Sequence, residues 1–388
     1  MIESQQAFYN EAEAKALYIG FNRSYLNPFL EMTLRVIANV TKLDFFGPGF
    51  STSDELMAGV ERWLEKYGFY SFIVTDPYVF EYKRILRRRN PFYNDVLRFP
   101  ENQYKEYAAA YKKFFMNYDG TRMLIGHWDI YGFPIEIAEE LVQSKILILG
   151  NDISLVKRLN DIATMGEFLT GANDNWYNYV DKYRDKIISF PFFIHSMEFE
   201  STPLERRKYF YHVPGTGYAE RKKAKELLGL KAKMIDNRDL LMEKFRWYFF
   251  KKMNQNIMDR LQKEYAIKIA NSKICYASGS SVRANVRKYF EIPAKGALML
   301  CQRCTGFDNL GFKDGHNCIV VEDNERIKQV LTDFDDEKYQ VIASNGRDLI
   351  WHKHSEISRI KQFSESLKRI LKNDFRGSYW ENGNYKFW

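Results

Sequence analysis

Cysteine is scarce in this sequence, four in 388 residues, which excludes a disulfide framework and favours a reducing compartment. No apolar run is long enough to span a bilayer. The opening MIESQQAFYNEAEAK is polar and acidic and lacks the basic start and apolar centre of a secretory signal, so the expected localisation is cytoplasmic. A repeat of solenoid period and a low-complexity linker are both missing, which excludes a stacked-repeat array. What is present describes a folded chain: 45% apolar, 16% aromatic and 28% charged residues rule out wholesale disorder. The length exceeds one ordinary core and suits two domains. A formal charge of +8, from 58 Lys and Arg against 50 Asp and Glu, favours polyanionic partners such as nucleotides, nucleic acid or anionic lipid.

Short apolar runs alternate with stretches of helical spacing. The runs at 16–21, 41–50, 69–78, 121–129, 145–152 and 185–193 read as strands, with helices near 27–38 and 55–68. Strands separated by helices predict parallel βαβ units and an α/β class, with a Rossmann-like domain over residues 1–205. The insert at 81–118 is rich in arginine and tyrosine, fits no strand, and is expected to be helical. A second series begins with a strand and glycine turn at 208–217 and a basic helix at 218–230. An amphipathic stretch at 239–265 leads to strands at 272–277, 297–301 and 317–323, then helices at 324–334 and 337–351. This predicts a second Rossmann-like domain over 206–354, and a last helix (355–373) with an aromatic tail over 355–388. Two such domains in tandem predict a ligand cleft, because open parallel sheets bind ligands at the carboxyl ends of their strands. The alternative is two domains with unrelated roles.

The densest chemistry lies in SGSSVRANVRKYFEIPAKGALML (278–300). A helix is expected to open between Ser280 and Asn285, with Ser281 and Asn285 as suitable N-cap types and Val286 just inside. Its unpaired N–H groups and dipole would suit a diphosphate, and Arg283 and Arg287, one turn apart, would add full charge. Glu291, a further turn on, would accept hydrogen bonds from two ribose hydroxyls before Pro293 and Gly296 end the helix. The same spacing also fits an ordinary i,i+4 pair between Arg287 and Glu291.

NVRKYFEIPAKGALML (285–300), with GHNCIVVEDNERIKQVL (315–331) and NGRDLIWHKHSEISRIKQF (345–363), resembles the C-terminal half of CgeB-like glycosyltransferases of the GT-B group. Phe290, Glu291, Pro293, Ala294 and Gly296 carry the likeness, followed by Val321, Glu322 and Asp323, then His354. YHVPGTGYAERKKA (211–224) is similar to that family's first C-domain strand, glycine turn and helix start, and FFGPGF (45–50) to a frequent N-domain loop. The likeness is close over the C-terminal half and only architectural before it. It implies the GT-B fold, two Rossmann-like domains facing across a cleft, with the C-terminal helix packing back on the first. It implies a metal-independent enzyme without a cofactor. Such an enzyme moves a sugar from a nucleoside-diphosphate sugar, with UDP the expected nucleotide, to an acceptor hydroxyl. The resemblance puts Gly215, Thr216, Gly217, Tyr218 and Arg221 at the donor, together with Ser280, Ser281, Asn285, Val286 and Glu291. Glu291 matches the family's ribose-binding glutamate. Arg283 stands where related families carry a glutamate facing the donor sugar, a departure that leaves the retaining or inverting outcome open. Catalysis would rest on positive charge from Arg221, Arg283 and Arg287 at the departing diphosphate.

Gly215-Thr216-Gly217 is half of a dinucleotide fingerprint, but Glu220 occupies the third glycine's place, which speaks against NAD. Cys301, Cys304, His316 and Cys318 have tolerable zinc spacing, yet Cys301 and Cys318 fall on predicted core strands, so no metal is expected. No Asp-x-Asp follows a predicted strand. In the first domain His127 and Asp129 end a predicted strand and are candidates to contact the sugar or deprotonate an acceptor, a structural role being the alternative for the histidine, with Asn22, Arg23 and Asp76 as weaker acceptor-side candidates. YKRILRRRNPFYNDVLRF (82–99) sets Arg87, Arg88 and Arg89 among aromatics, a pattern that suits phosphate backbones and unpaired bases, or simply a solvated helix face. A modified DNA base is therefore one candidate acceptor, as in viral DNA-modifying enzymes. A glycan, lipid or protein is the alternative, and a non-catalytic nucleic-acid-binding protein on the same frame is the rival from another class.

Overall fold

A computed structural model describes residues 14–22, 28–76, 79–80, 101–126, 146–150, 184–215, 219–227, 255–279, 285–304 and 306–388. Backbone contacts divide the chain into two compact units, Met1–Phe190 with Ile360–Tyr379 and Phe387–Trp388, and Pro191–Arg359 with Trp380–Lys386.

The first unit is built on a six-stranded sheet of β1 (Lys15–Ile19), β2 (Lys42–Phe46), β3 (Phe72–Thr75), β4 (Thr121–Gly126), β5 (Ile146–Gly150) and β6 (Ile187–Ser189), in the order β2-β1-β3-β4-β5-β6. Every pairing in it is parallel. Leu17, Tyr18 and Ile19 of β1 and Phe72, Ile73 and Val74 of β3 are fully buried, so consecutive residues on both faces are covered. A parallel sheet sheathed on both sides requires such unbroken apolar runs. Helices α1 (Pro28–Ala38), α2 (Ser53–Tyr67) and α3 (Glu101–Asn117) belong to this unit. The capping box of Thr52 and Glu55 starts α2, and Gly68, donating to the Leu64 carbonyl, closes it. The described part of the arginine- and tyrosine-rich insert is helical, as its composition suggests; residues 81–100 lie outside the described residues. The chain winds from β1 to β2 on one side and to β3 on the other, so the strand order reverses between β1 and β3. Ligands of open α/β sheets bind beyond the strand ends at such a reversal.

The second unit has four parallel strands, β7 (Tyr209–His212), β8 (Ser272–Ala277), β9 (Leu298–Cys301) and β10 (Ile319–Val320), in the order β10-β9-β8-β7. Its helices are α4 (Ala219–Glu226), α5 (Gln255–Ala270), α6 (Lys288–Ala294), α7 (Asn324–Thr332) and α8 (Asp336–Lys353); α9 (Glu356–Leu371) follows. Tyr211, Ile274, Leu298 and Ile319 from the strands share one buried cluster with Ile327 of α7 and Ile342 of α8. Asp323 and Asp335 cap α7 and α8 by accepting from the backbone N–H groups of Arg326 and Lys338. The α/β class expected from the sequence holds in both units. Among the described residues no helix is long and apolar enough to cross a membrane.

Two expectations need correction. The helix placed between Ser280 and Asn285 opens only at Lys288, with Arg287 as an uncapped N-cap. Tyr289 N–H bonds to the Val286 carbonyl and Phe290 N–H to the Arg287 carbonyl, three residues back, so a tight turn precedes the α-helical ladder. Asn285 therefore sits ahead of the helix and does not cap it. Pro293 also lies inside α6, in its last turn. The aromatic tail is a β-hairpin, β11 (Ser378–Glu381) and β12 (Asn384–Phe387). Asn382 and Gly383 turn it with φ of 50° and 75°, the left-handed pair that two-residue hairpin turns need.

Candidate active site

The site forms where β7 and β8 end. Past β7 the chain reaches Gly215 at φ +90°, and a Cβ there would lie 2.6 Å from Lys288 Nζ and 3.4 Å from Arg221 Nη1. Only glycine brings the backbone this close to the two cations. Arg221, on α4, is almost fully buried, and its Nη2 donates to the Ser278 carbonyl just beyond β8 at 2.7 Å. One turn along α4, Lys225 Nζ reaches the Gly215 carbonyl at 3.5 Å. Lys288 forms no hydrogen bond or ion pair with the described residues. Burial first, then the Arg221 charge, lowers its ammonium to about 8; Glu291 opposes the shift, and Arg287 and Lys225 add to it. Lys225 is lowered too, by burial and by Arg221. Among the described residues Arg221, Lys225 and Lys288 thus gather around Gly215, and an anion would relieve their repulsion. Nearby in sequence, the Ser278 hydroxyl and both polar atoms of the Asn285 side chain are buried without a hydrogen-bond partner among the described residues, with Asn285 only 1% exposed. Buried polar groups are seldom left so.

A second cluster carries negative charge. Glu291, on α6 and buried, accepts from the Tyr265 hydroxyl of α5 at 3.1 Å. Burial, then the Glu291 carboxylate, holds the Tyr265 phenol well above its usual range. Arg287 Nη2 donates to Glu198 Oε2. Burial works against the Arg287 charge, but Glu291 and Glu198 outweigh it and raise its pKa. Glu198 comes from a short 3-10 turn, Ser196–Glu198. His195 caps that turn, its Nδ1 accepting from Met197 N–H at 3.0 Å while its Nε2 lies 3.0 Å from Glu356 Oε2.

The structure brings Gly215, Arg221, Asn285, Arg287 and Glu291 into the second unit, with Val286 contributing its carbonyl to the turn before α6. Thr216, Gly217, Tyr218, Ser280, Ser281 and Arg283 lie outside the described residues, as do Arg23, Arg87, Arg88, Arg89, His127 and Asp129. In the first unit Asn22 follows β1 and donates to the Gly49 carbonyl at 3.3 Å, holding the FFGPGF turn. Asp76 follows β3, is buried, and accepts from the Tyr18 hydroxyl at 2.6 Å. Both thus stand at the strand reversal of that sheet, each tied to a local partner. Sequence reasoning assigned no role to Lys225, Lys288, Ser278, Tyr265 and Glu198. The signal for Lys288 was its place three residues before Glu291; Glu198, 89 residues from Arg287, had none.

Cys301, Cys304 and Cys318 are buried, and burial raises the Cys301 and Cys304 thiols. His316 packs instead against Asn345, whose amide donates to its carbonyl at 3.0 Å. Among the described residues no three His, Cys, Asp or Glu side chains are placed to hold a metal ion. His354 is fully buried, its Nε2 2.8 Å from the Leu310 carbonyl and its Nδ1 3.0 Å from Arg359 Nη2. Arg359 donates in turn to the Pro191 and Phe192 carbonyls, so this histidine is a joint of the second unit.

Comparison with known proteins adds a family match and a shared fold. The family described as Glycosyl transferase-like matches residues 221–365, which include Arg221, Lys288 and Glu291. No curated protein matches the chain significantly. A glycosyltransferase from Rickettsia africae ESF-5 superposes with a TM-score of 0.52 at 12% identity, covering 94% of this chain and 100% of its own. The DNA-modifying enzyme β-glucosyltransferase, studied with and without its substrate uridine diphosphoglucose, gives 0.50 at 11% identity, covering 92% and 99%. An α-glucosyltransferase in complex with UDP-glucose and DNA containing an abasic site gives 0.51 at 11% identity, with the same coverage. Residues 221–365 therefore match a glycosyl transferase-like family, and the chain shares the fold of glycosyltransferases of known structure.

Proposed function

We propose that the second unit binds a nucleoside-diphosphate sugar, UDP-linked in the first instance, and that the enzyme passes the sugar to an acceptor hydroxyl. The observation that carries this is the gathering of Arg221, Lys225 and Lys288 around Gly215, with Lys288 in no ion pair among the described residues, beside the buried Glu291. A nucleoside diphosphate complements both parts. Its phosphates supply the missing negative charge, and its ribose hydroxyls are donors for a carboxylate. The resemblance to CgeB-like enzymes gives Glu291 the same role.

In the reaction the acceptor oxygen bonds to the anomeric carbon, and the bond from that carbon to the diphosphate oxygen breaks. The electron pair leaves with the diphosphate. Arg221 and Lys288 are the groups that stabilise this charge, fixed in place before it develops. The acceptor proton passes to a base, for which His127 and Asp129 are the candidates. Titration calorimetry with UDP, GDP, ADP and CDP tests the reading. One of them should bind with micromolar affinity, and the matching nucleotide sugar should be slowly hydrolysed; binding of none overturns the proposal.

For the acceptor, we favour a hydroxyl on a modified DNA base. Two solved structures of the same fold, with TM-scores of 0.50 and 0.51, are a DNA-modifying enzyme and an enzyme bound to DNA. The arginine-rich run at 82–99 and the net charge of +8 supply the electrostatics such an acceptor requires. A glycan, lipid or protein acceptor is the outcome if DNA does not bind.

A further inference from the structure

We infer that Arg287 is a positioning residue, held by Glu198 so that it orients the Glu291 carboxylate, and that it does not touch the donor diphosphate. The inference rests on the donor reading above and gives Arg287 a different task from the one its sequence suggests.

Arg287 and Lys288 are neighbours in sequence but serve different surroundings. Consecutive residues around a helix start leave the axis about 100° apart, so they cannot easily face one ligand group. Lys288 points its ammonium at Gly215 and Arg221 and forms no ion pair with a carboxylate among the described residues, although the Glu291 charge acts on it. Arg287 has Glu198 bonded to one nitrogen, and Glu291, one turn along α6 with its N–H on the Arg287 carbonyl, adds a charge that favours the guanidinium. The Glu198 ion pair already compensates the guanidinium, which leaves it less positive charge to lend a phosphate. Its planar fork of five donors is instead suited to holding two acceptors in fixed directions.

Glu198 is built for this task. Its Oε1 accepts the His195 backbone N–H at 3.3 Å, which leaves Oε2 for Arg287. His195 is oriented from both ends of its ring. Because Nδ1 accepts from Met197 N–H, the ring proton sits on Nε2 and points at Glu356. Glu356 N–H bonds back to the Ile194 carbonyl at 2.9 Å, closing the loop. Tyr265 holds the other side of Glu291. Without the Glu198 charge, the Arg287 fork would close on Glu291 alone and occupy the lone pairs that ribose hydroxyls need.

Calorimetry with two probes, UDP and inorganic pyrophosphate, tests this. Pyrophosphate reads only the phosphate-binding part of the site. Glu198→Gln keeps the size of the side chain and its acceptor for His195, and should weaken UDP binding about ten-fold, the scale of one charged hydrogen bond, while pyrophosphate affinity stays within about two-fold. Arg287→Lys keeps the charge and removes the fork, and should show the same split; Lys288→Met should weaken both probes alike. Circular dichroism and thermal unfolding check that each variant is folded. Equal loss of pyrophosphate affinity in Glu198→Gln and Arg287→Lys would put Arg287 on the phosphates and overturn the inference. Unchanged UDP affinity in both would also overturn it, leaving Arg287 and Glu198 a structural pair. A wild-type protein that binds pyrophosphate but no nucleoside diphosphate would instead remove the donor reading, and this inference with it.

Discussion

Lys288 and Arg221 approach one glycine from different elements, the ammonium from α6 and the guanidinium from α4, with a Cβ at position 215 falling 2.6 Å from one and 3.4 Å from the other. Two cations crowded on a common backbone point repel each other in the free protein, and in the proposed complex both would be used by the diphosphate. Lys288→Met should therefore separate stability from function. We expect nucleoside-diphosphate binding to weaken by about 1.5–3 kcal/mol, the usual worth of a charged hydrogen bond. The free protein should be as stable as wild type or more so, since an apolar side chain replaces a buried charge repelled by neighbouring cations. Calorimetry and urea unfolding report the two effects. A variant that loses stability and keeps its affinity makes Lys288 a structural residue.

The same lysine gives a pH signature. Its ordinary value is 10.5, and burial with the neighbouring cations brings it to about 8 in the folded protein. Between those values the unfolded chain carries a proton that the native state lacks, so the Lys288 contribution to stability rises with pH across that window. A bound diphosphate favours the charged form and draws a proton onto the amine. Affinity for UDP should then fall as pH rises from about 8 towards 10. The Kd of wild type and Lys288→Met, followed from about pH 7 to about pH 10, should diverge at the low end and converge at the high end.

Glu291→Gln keeps an amide oxygen for the Tyr265 hydroxyl, so the fold should survive. It removes the charged acceptor offered to the ribose. The expected loss is about 1.5–3 kcal/mol of nucleoside-diphosphate binding, read by calorimetry, with pyrophosphate affinity little changed. Undiminished UDP affinity in the folded variant would rule out contact with the ribose.

The strand series was legible because a parallel sheet covered on both faces leaves continuous apolar runs, such as SKICYA for β8. Glu291 and Arg221 were legible for a different reason, their place in family-like segments. The charge pairing was not legible. Glu198 and Arg287 stand 89 residues apart, and only the fold of the second unit brings them together. Spacing alone also misassigned the start of α6, since Asn285 is a good cap type by composition but is buried ahead of the helix. The hairpin was the opposite case. Asn382-Gly383, flanked by aromatics, is a strong local turn signal, and it was read as part of a tail.

His354 and His212 predict the acid limit of the fold. Burial, then the Arg359 charge, pushes His354 well below 6.5, and burial with Lys268 and Lys225 brings His212 to about 4. Both are neutral when folded, so the unfolded chain binds more protons below pH 6.5. Stability is therefore full above that pH and is lost as pH falls towards about 4. Urea midpoints measured from about pH 7.5 to about pH 4.5 should decline, with the steepest part below 6.5. His354→Ala should cost about 2–4 kcal/mol at about pH 7.5, because the buried Arg359 loses an acceptor and the Leu310 carbonyl a donor. An unchanged midpoint in that variant would contradict the joint assigned to it.

The acceptor reading stands or falls on residues 82–99. Replacing Arg87, Arg88 and Arg89 with glutamine removes three positive charges while keeping hydrogen-bonding side chains. If the run tracks a phosphate backbone, DNA affinity should fall, and its salt dependence should flatten by up to about one unit of slope for each phosphate that is no longer neutralised. Hydrolysis of the nucleotide sugar needs only the donor site and water, so it should continue at the wild-type rate. Transfer to DNA carrying a hydroxymethylated base should drop in the triple variant through a higher KM, because the groups at the reacting carbon are untouched. DNA binding measured by fluorescence anisotropy at several salt concentrations, beside a hydrolysis assay, separates the outcomes. If wild type does not bind DNA, or the triple variant binds it with the same slope, the run is a solvated surface. The acceptor hydroxyl then belongs to a glycan, lipid or protein, and an acceptor screen with the preferred nucleotide sugar identifies which.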